Sequence, residues 1–91
     1  MSKFEVVYST EALKCFKELD RTIAQRIYLK IDFYISTPNP LVHAKTLSGE
    51  LSGLYRFRVG DYRIIFSIEK DGSVTILTIL KIAHRKDVYK K

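Results

Sequence analysis

Cysteine is nearly missing from this 91-residue chain, and histidine occurs only twice. The lone thiol, Cys15, excludes an internal disulfide and fits a reducing compartment, so the cytoplasm is the expected location. It stands among apolar residues at helical spacing, where a free cysteine serves as a small core filler. His43 and His84 are far apart and no Cys/His spacing accompanies them, so no metal site is expected. Glycine is also scarce, with 4 residues and no Gly-rich phosphate loop or nucleophile elbow. Paired carboxylates are absent too, because Asp61 and Asp71 fall at turn positions. The opening Met1-Ser2-Lys3-Phe4-Glu5 lacks an apolar targeting core, and no run approaches a membrane span. With no low-complexity segment, residues 1–91 read as one small domain with one core, needing no cofactor.

Acidic charge is in short supply as well. Sixteen Lys and Arg face 10 Asp and Glu, a net charge of +6. Residues 1–44 hold 6 basic and 5 acidic side chains, a difference of +1, whereas residues 45–91 hold 10 and 5, a difference of +5. A basic half of a domain selects a polyanion, nucleic acid first, or an acidic protein. A membrane surface is not expected, since the basic residues lie on strands and not on an amphipathic helix.

Phe4-Glu5-Val6-Val7-Tyr8 alternates as a strand does. Ser9 or Thr10 can cap a helix whose apolar stripe is Ala12, Leu13, Phe16 and Leu19. Asp20 can cap a second helix with the stripe Ile23, Ile27, Ile31 and Tyr34. Both stripes read as core packing. Thr37-Pro38-Asn39-Pro40 stops that helix, because proline lacks an N–H and restricts the residue before it. Residues 41–53 read as a loop with room for a short turn, carrying Lys45 and the turn signals Ser48-Gly49 and Ser52-Gly53. Two strands joined by Gly60-Asp61 follow, then a turn at Lys70-Asp71-Gly72-Ser73 and an apolar, β-branched strand over 73–82, expected to be central and covered on both faces. The order β-α-α-β-β-β with a short charged tail predicts an α+β fold: a mainly antiparallel sheet with a two-helix hairpin on one face.

The hairpin Leu54–Ile68 is the most informative stretch. A two-residue loop at Gly60-Asp61 pairs Val59 with Tyr62, Arg58 with Arg63, Phe57 with Ile64, and Arg56 with Ile65. Tyr55, Phe57, Val59, Tyr62, Ile64 and Phe66 then share one face, and Arg56, Arg58 and Arg63 the other. Two arginines directly opposite repel, at a cost of roughly 0.2–1 kcal/mol. A hairpin that only had to fold would carry a carboxylate there, so the pair reads as an anion site. For the next hairpin, a loop at Asp71-Gly72 sets Arg63 opposite Leu80 and turns Ile82 and His84 to the arginine side. A loop one residue longer brings Arg85 there instead.

Arg56, Arg58, Arg63, Arg85, Lys45 and Lys81, with one imidazole and one phenol, suit phosphodiester chemistry. There charge develops on nonbridging oxygens, and fixed cations stabilise it more than the ground state. A route without metal uses the ribose 2′-OH as nucleophile, which requires RNA. Arginine holds its proton and acts electrostatically. His84 is the best-tuned acid or base, and Tyr89 can stack on a base or orient the nucleophile. The plain readings are a strand-end histidine, a tail-anchoring tyrosine and a solvated lysine end at Lys86, Lys90 and Lys91.

At these residues the chain resembles RelE-type toxins of the bacterial and archaeal RelE/ParE superfamily. The resemblance rests on the element order, on Lys45-Thr46-Leu47-Ser48-Gly49, on Leu54–Arg63, and on His84-Arg85-Lys86-Asp87-Val88-Tyr89. It implies the compact RelE-like microbial ribonuclease fold and metal-independent cleavage of messenger RNA, commonly in the ribosomal A site, which stops translation. It also implies a cognate acidic, RelB-like antitoxin, with promoter DNA contacted only through that partner. By position, Arg58, Arg63, His84 and Tyr89 become the catalytic candidates, and Lys45, Arg56, Lys81 and Arg85 the RNA-binding ones. Arg56 and Arg58 stand where the best-known relative has lysines, one of them assigned as base, which shifts that role to His84. Arg63 matches the phosphate-stabilising arginine and Tyr89 the substrate-orienting tyrosine. Two other functions fit the same resemblance: a ParE-like inhibitor of DNA gyrase, and a non-toxic homologue that keeps only antitoxin binding.

Overall fold

The computed structural model describes residues 3–88. Strand β1 (Lys3–Tyr8) leads into helices α1 (Thr10–Glu18) and α2 (Arg21–Ser36). A short edge strand β2 (Lys45–Thr46) precedes β3 (Tyr55–Val59), β4 (Tyr62–Asp71) and β5 (Val74–His84), and the one-turn helix α3 (Arg85–Val88) follows. The sheet order is β1-β5-β4-β3-β2, with β1 parallel to β5 and the remaining pairs antiparallel. This is the expected α+β arrangement. The 41–53 segment holds more than a loop: β2 and two 3-10 turns, Pro40–His43 and Gly49–Leu51, lie around and within it.

Local chemistry sets the boundaries. The Ser9 hydroxyl caps α1 by accepting the Ala12 N–H, and the Asp20 carboxylate caps α2 by accepting the Thr22 N–H. Thr37 ends α2 just before Pro38. Gly60 has φ +59°, and no described non-glycine residue has positive φ, so Gly60-Asp61 forms the type II′ turn that suits strand twist.

Helices α1 and α2 cover one face of the sheet. Ala12, Ile27 and Ile31 pack onto Phe57, Ile64, Phe66, Leu77 and Ile79, all fully buried. The Phe57 and Phe66 rings stack at 4.5 Å and Tyr34 closes on Phe57 at 4.8 Å, and burying each such side chain contributes about 1.5–3 kcal/mol. Cys15 packs partly buried against this core. Leu13 departs from its expected place: it is 51% exposed on the outside of α1. Strand β5 is an interior strand, fully covered on the helix side at Thr75, Leu77 and Ile79 and only partly covered on the other at Val74, Ile76 and Thr78. Among the described residues no helix is long and apolar enough to cross a membrane.

Candidate anion-binding site

The β3–β4 register is the expected one: Val59 faces Tyr62, Arg58 faces Arg63, Phe57 faces Ile64 and Arg56 faces Ile65. In a two-residue hairpin the pair beside the loop exchanges the hydrogen bonds. Arg58 and Arg63 therefore occupy the closer, non-bonded spacing of about 4.5 Å between Cα atoms. Strand β2 adds Lys45 opposite Arg56, and β5 adds Lys81 opposite Ile65. One row across the sheet thus reads Lys45, Arg56, Ile65, Lys81, and the next reads Arg58, Arg63, Ala83. Buried Ile65 and Ala83 supply an apolar floor between the basic side chains.

The second β-hairpin differs from the expected register. Its loop is Gly72-Ser73, with Asp71 opposite Val74, and the ladder shifts between Ile65 and Phe66, leaving Leu80 without a β4 partner. A bulge residue reverses the alternation beyond it. Arg63 consequently faces Ala83, not Leu80, and His84 pairs with Tyr62 on the helix side of the sheet. The structure thus corrects the expected position of His84 beside the arginines. Its ring meets Tyr62 edge-on at 5.0 Å, and its Nδ1 accepts the Lys86 N–H at 3.1 Å, which leaves Nε2 as the protonated nitrogen of the neutral ring.

Arg85 takes the place beside the arginines. The Arg85 N–H donates to the Asp61 carbonyl at 2.7 Å, and its guanidinium lies 3.9 Å from the Asp61 carboxylate. The backbone bond fixes the position, because an exposed ion pair of this kind contributes only about 0–1 kcal/mol. Arg58, Asp61, Tyr62, Arg63, Arg85 and Lys86 line a cleft of about 400 Å³. Lys86, which the sequence suggested was only solvated tail, is part of that wall. The signal for this was the turn itself: among the described residues Asp61 is the one acidic side chain lining the cleft, and its carbonyl holds the start of α3.

Burial, and then the Arg63 and Arg58 guanidiniums, hold Arg56 below the ordinary guanidinium pKa. Arg56 keeps its proton all the same, and the lowering registers the like charge crowded onto this face. Among the described residues no group of three or more His, Cys, Asp or Glu could hold a metal ion. Tyr89, the remaining catalytic candidate, lies outside the described residues.

A helical pair on one face of a five-stranded mixed sheet is an arrangement this chain shares with solved toxin structures. The structure is similar to the toxin–antitoxin complex RelBE2 of Mycobacterium tuberculosis, with a TM-score of 0.72 and 26% identity over 93% of this chain and 94% of that one. It is also similar to the archaeal RelE–RelB complex of Pyrococcus horikoshii, with a TM-score of 0.64 and 27% identity over 91% and 96% of the two chains. Toxin RelG of Mycobacterium tuberculosis is 30% identical over 88 residues, 97% of this chain and 98% of that protein. Residues 6–89 match the family described as the ParE toxin of type II toxin–antitoxin systems. The chain belongs to this family, and is a type II toxin of the RelE/ParE superfamily.

Proposed function

We propose that this toxin is a metal-independent endoribonuclease that cleaves messenger RNA on the ribosome, in the A site, and so stops translation. The observation that carries the reading is the in-register pair Arg58–Arg63, flanked by Arg56, Lys81 and Lys45 on one face of the sheet and by Arg85 at the cleft. In the proposed reaction a ribose 2′-oxygen attacks the adjacent phosphorus. The P–O2′ bond forms, the P–O5′ bond breaks, and the products are a 2′,3′-cyclic phosphate and a 5′-hydroxyl. The 2′-proton leaves to a base, and the departing 5′-oxygen receives one.

Arg58, Arg63 and Arg85 are assigned to the charge that grows on the nonbridging oxygens, with Arg63, half-buried at the centre of its row, as the main contributor. Lys45, Arg56 and Lys81 are assigned to flanking phosphates. His84 remains the proposed proton carrier through Nε2. It lines a neighbouring pocket with Asp61 and Tyr62, two residues that also line the arginine cleft, and the proposed route for the proton runs around the turn. Tyr89 keeps its proposed role of orienting the substrate.

The proposed protein partner is an acidic, RelB-like antitoxin. Structural relatives include complexes of RelE with RelB. The helix layer exposes Leu13, Leu29 and Phe33 among Lys14, Lys17, Arg26 and Lys30, a surface suited to an acidic amphipathic segment. Promoter DNA is reached only through that partner. The site of action is the cytoplasm.

A second reading, inhibition of DNA gyrase, is kept because the matched family is described by its ParE members. Induction in a bacterium separates the two. Translation, followed by pulse labelling, is expected to fail before plasmid supercoiling changes; lost supercoiling with intact translation would favour the gyrase reading. Phosphate contacts release counterions, so RNA affinity should fall steeply with salt, and Lys45→Ala or Lys81→Ala should each make that salt slope shallower without moving the cleavage positions. An unchanged slope in a binding titration contradicts phosphate contact at that residue.

A further inference from the structure

Ser9 joins β1 to α1 and makes four hydrogen bonds. Its N–H donates to the Ile79 carbonyl at 2.9 Å, and its own carbonyl accepts the Leu13 N–H at 3.0 Å. Its hydroxyl accepts the Ala12 N–H at 3.0 Å and donates to the Leu80 carbonyl at 3.1 Å. A helix cap requires only the acceptor half of that hydroxyl. The donor half goes to Leu80, the one residue of β5 that the β4 ladder leaves over.

That extra residue decides what the end of β5 presents. Upstream of it Thr75, Leu77 and Ile79 point toward the helices; downstream Ile82 and His84 do, while Lys81 and Ala83 join the arginine face. A strand continuing in even alternation from Ile79 would turn Lys81 under the helices and His84 outward. Bulges re-aim the side chains that follow them, and this one has a specific holder.

We propose that Ser9 is a positioning residue: its hydroxyl latches the Leu80 bulge, and the latch sets Lys81 and, through the end of β5, Arg85 on the basic face. The functional half of this proposal rests on the reading of that face as an RNA-cleaving site. Ser9 itself stands at the junction of β1 and α1 and is assigned no contact with substrate.

The variants that test it separate the two halves of the hydroxyl. Ser9→Thr keeps donor and acceptor. Ser9→Asp keeps the cap acceptor and has no donor for Leu80, and Ser9→Gly is a second variant that caps nearly as well without a hydroxyl. Amide hydrogen exchange in the free toxin is read at Ala12 and Leu13 for the cap and at residues 80–85 for the latch, beside single-turnover RNA cleavage. Ser9→Thr is expected to match the wild type. Ser9→Asp is expected to leave the Ala12 and Leu13 amides protected, and Ser9→Gly the Leu13 amide, whose acceptor is the backbone carbonyl, while in both residues 80–85 exchange roughly tenfold faster, the effect of one lost hydrogen bond. Cleavage should slow by a similar or larger factor, and Ser9→Thr should not slow it. Wild-type exchange at residues 80–85 in Ser9→Asp and Ser9→Gly would overturn the latch. Faster exchange with unchanged cleavage would overturn the positioning role. If no protein, the wild type included, cleaves RNA, the exchange data still judge the latch and the ribonuclease reading alone fails.

Discussion

Arg58 and Arg63 face each other where either could have been a glutamate, and the cost of that repulsion is borne by a small domain. Arg56 registers the same field as a lowered pKa. His84 shows how a residue can be chemically apt and yet stand elsewhere than its sequence position suggests. Its Nδ1 is taken by the backbone N–H of Lys86, so the imidazole has two separable jobs, holding the start of α3 and carrying a proton at Nε2. His84→Asn keeps a side-chain oxygen to accept that N–H and loses the proton carrier. The expected outcome is a melting temperature close to wild type, with cleavage slowed by roughly 10²–10⁴. Equal cleavage rates would confine His84 to its structural job.

At the scale of the element, the turn at Gly60-Asp61 determines the site. Gly60 at φ +59° is required by the turn and not by crowding, because a Cβ there would meet nothing within 4 Å. Gly60→Ala should therefore cost about 1–2 kcal/mol from the left-handed backbone alone, visible as a lower midpoint in denaturant melts, and Gly60→Asn less. The same turn made the β3–β4 register legible in the sequence, since a two-residue loop leaves only one pairing. Asp20, Thr37 and the α2 stripe were legible for similarly local reasons: caps and breakers act within a turn of helix. The β5 register was not. Lys70-Asp71-Gly72-Ser73 admits more than one loop, and the bulge at Leu80 depends on Ser9, 71 positions away. The pairing of Lys45 with Arg56 was equally hidden, since a two-residue strand carries no periodic signal.

Over the whole molecule the charge and the packing are segregated. The helices and the inner face of the sheet hold the core, while the excess positive charge gathers on the opposite face at the β3–β4 end. The core side has its own titration signature. Burial, then Tyr28 and Asp32, push the Tyr8 phenol up to about 12. Below the unfolded value of about 10 the phenol is neutral in both states and the full stability is present. As pH rises toward about 12 the unfolded chain releases a proton that the folded chain retains, so stability falls through that window. Melting temperatures measured between pH 9 and 12 should decline less steeply in Tyr8→Phe than in the wild type; parallel curves would show that Tyr8 does not couple to unfolding.

The central claim is that the paired arginines form the reacting centre, and single-turnover cleavage of messenger RNA on programmed ribosomes tests it most directly. Arg63→Ala is predicted to lose about 2.7–4 kcal/mol of transition-state stabilisation, a fall of roughly 10²–10³ in rate. Arg58→Gln should also cleave more slowly while melting no lower than wild type, because it relieves a cross-strand repulsion. A wild-type cleavage rate in Arg63→Ala would contradict the account.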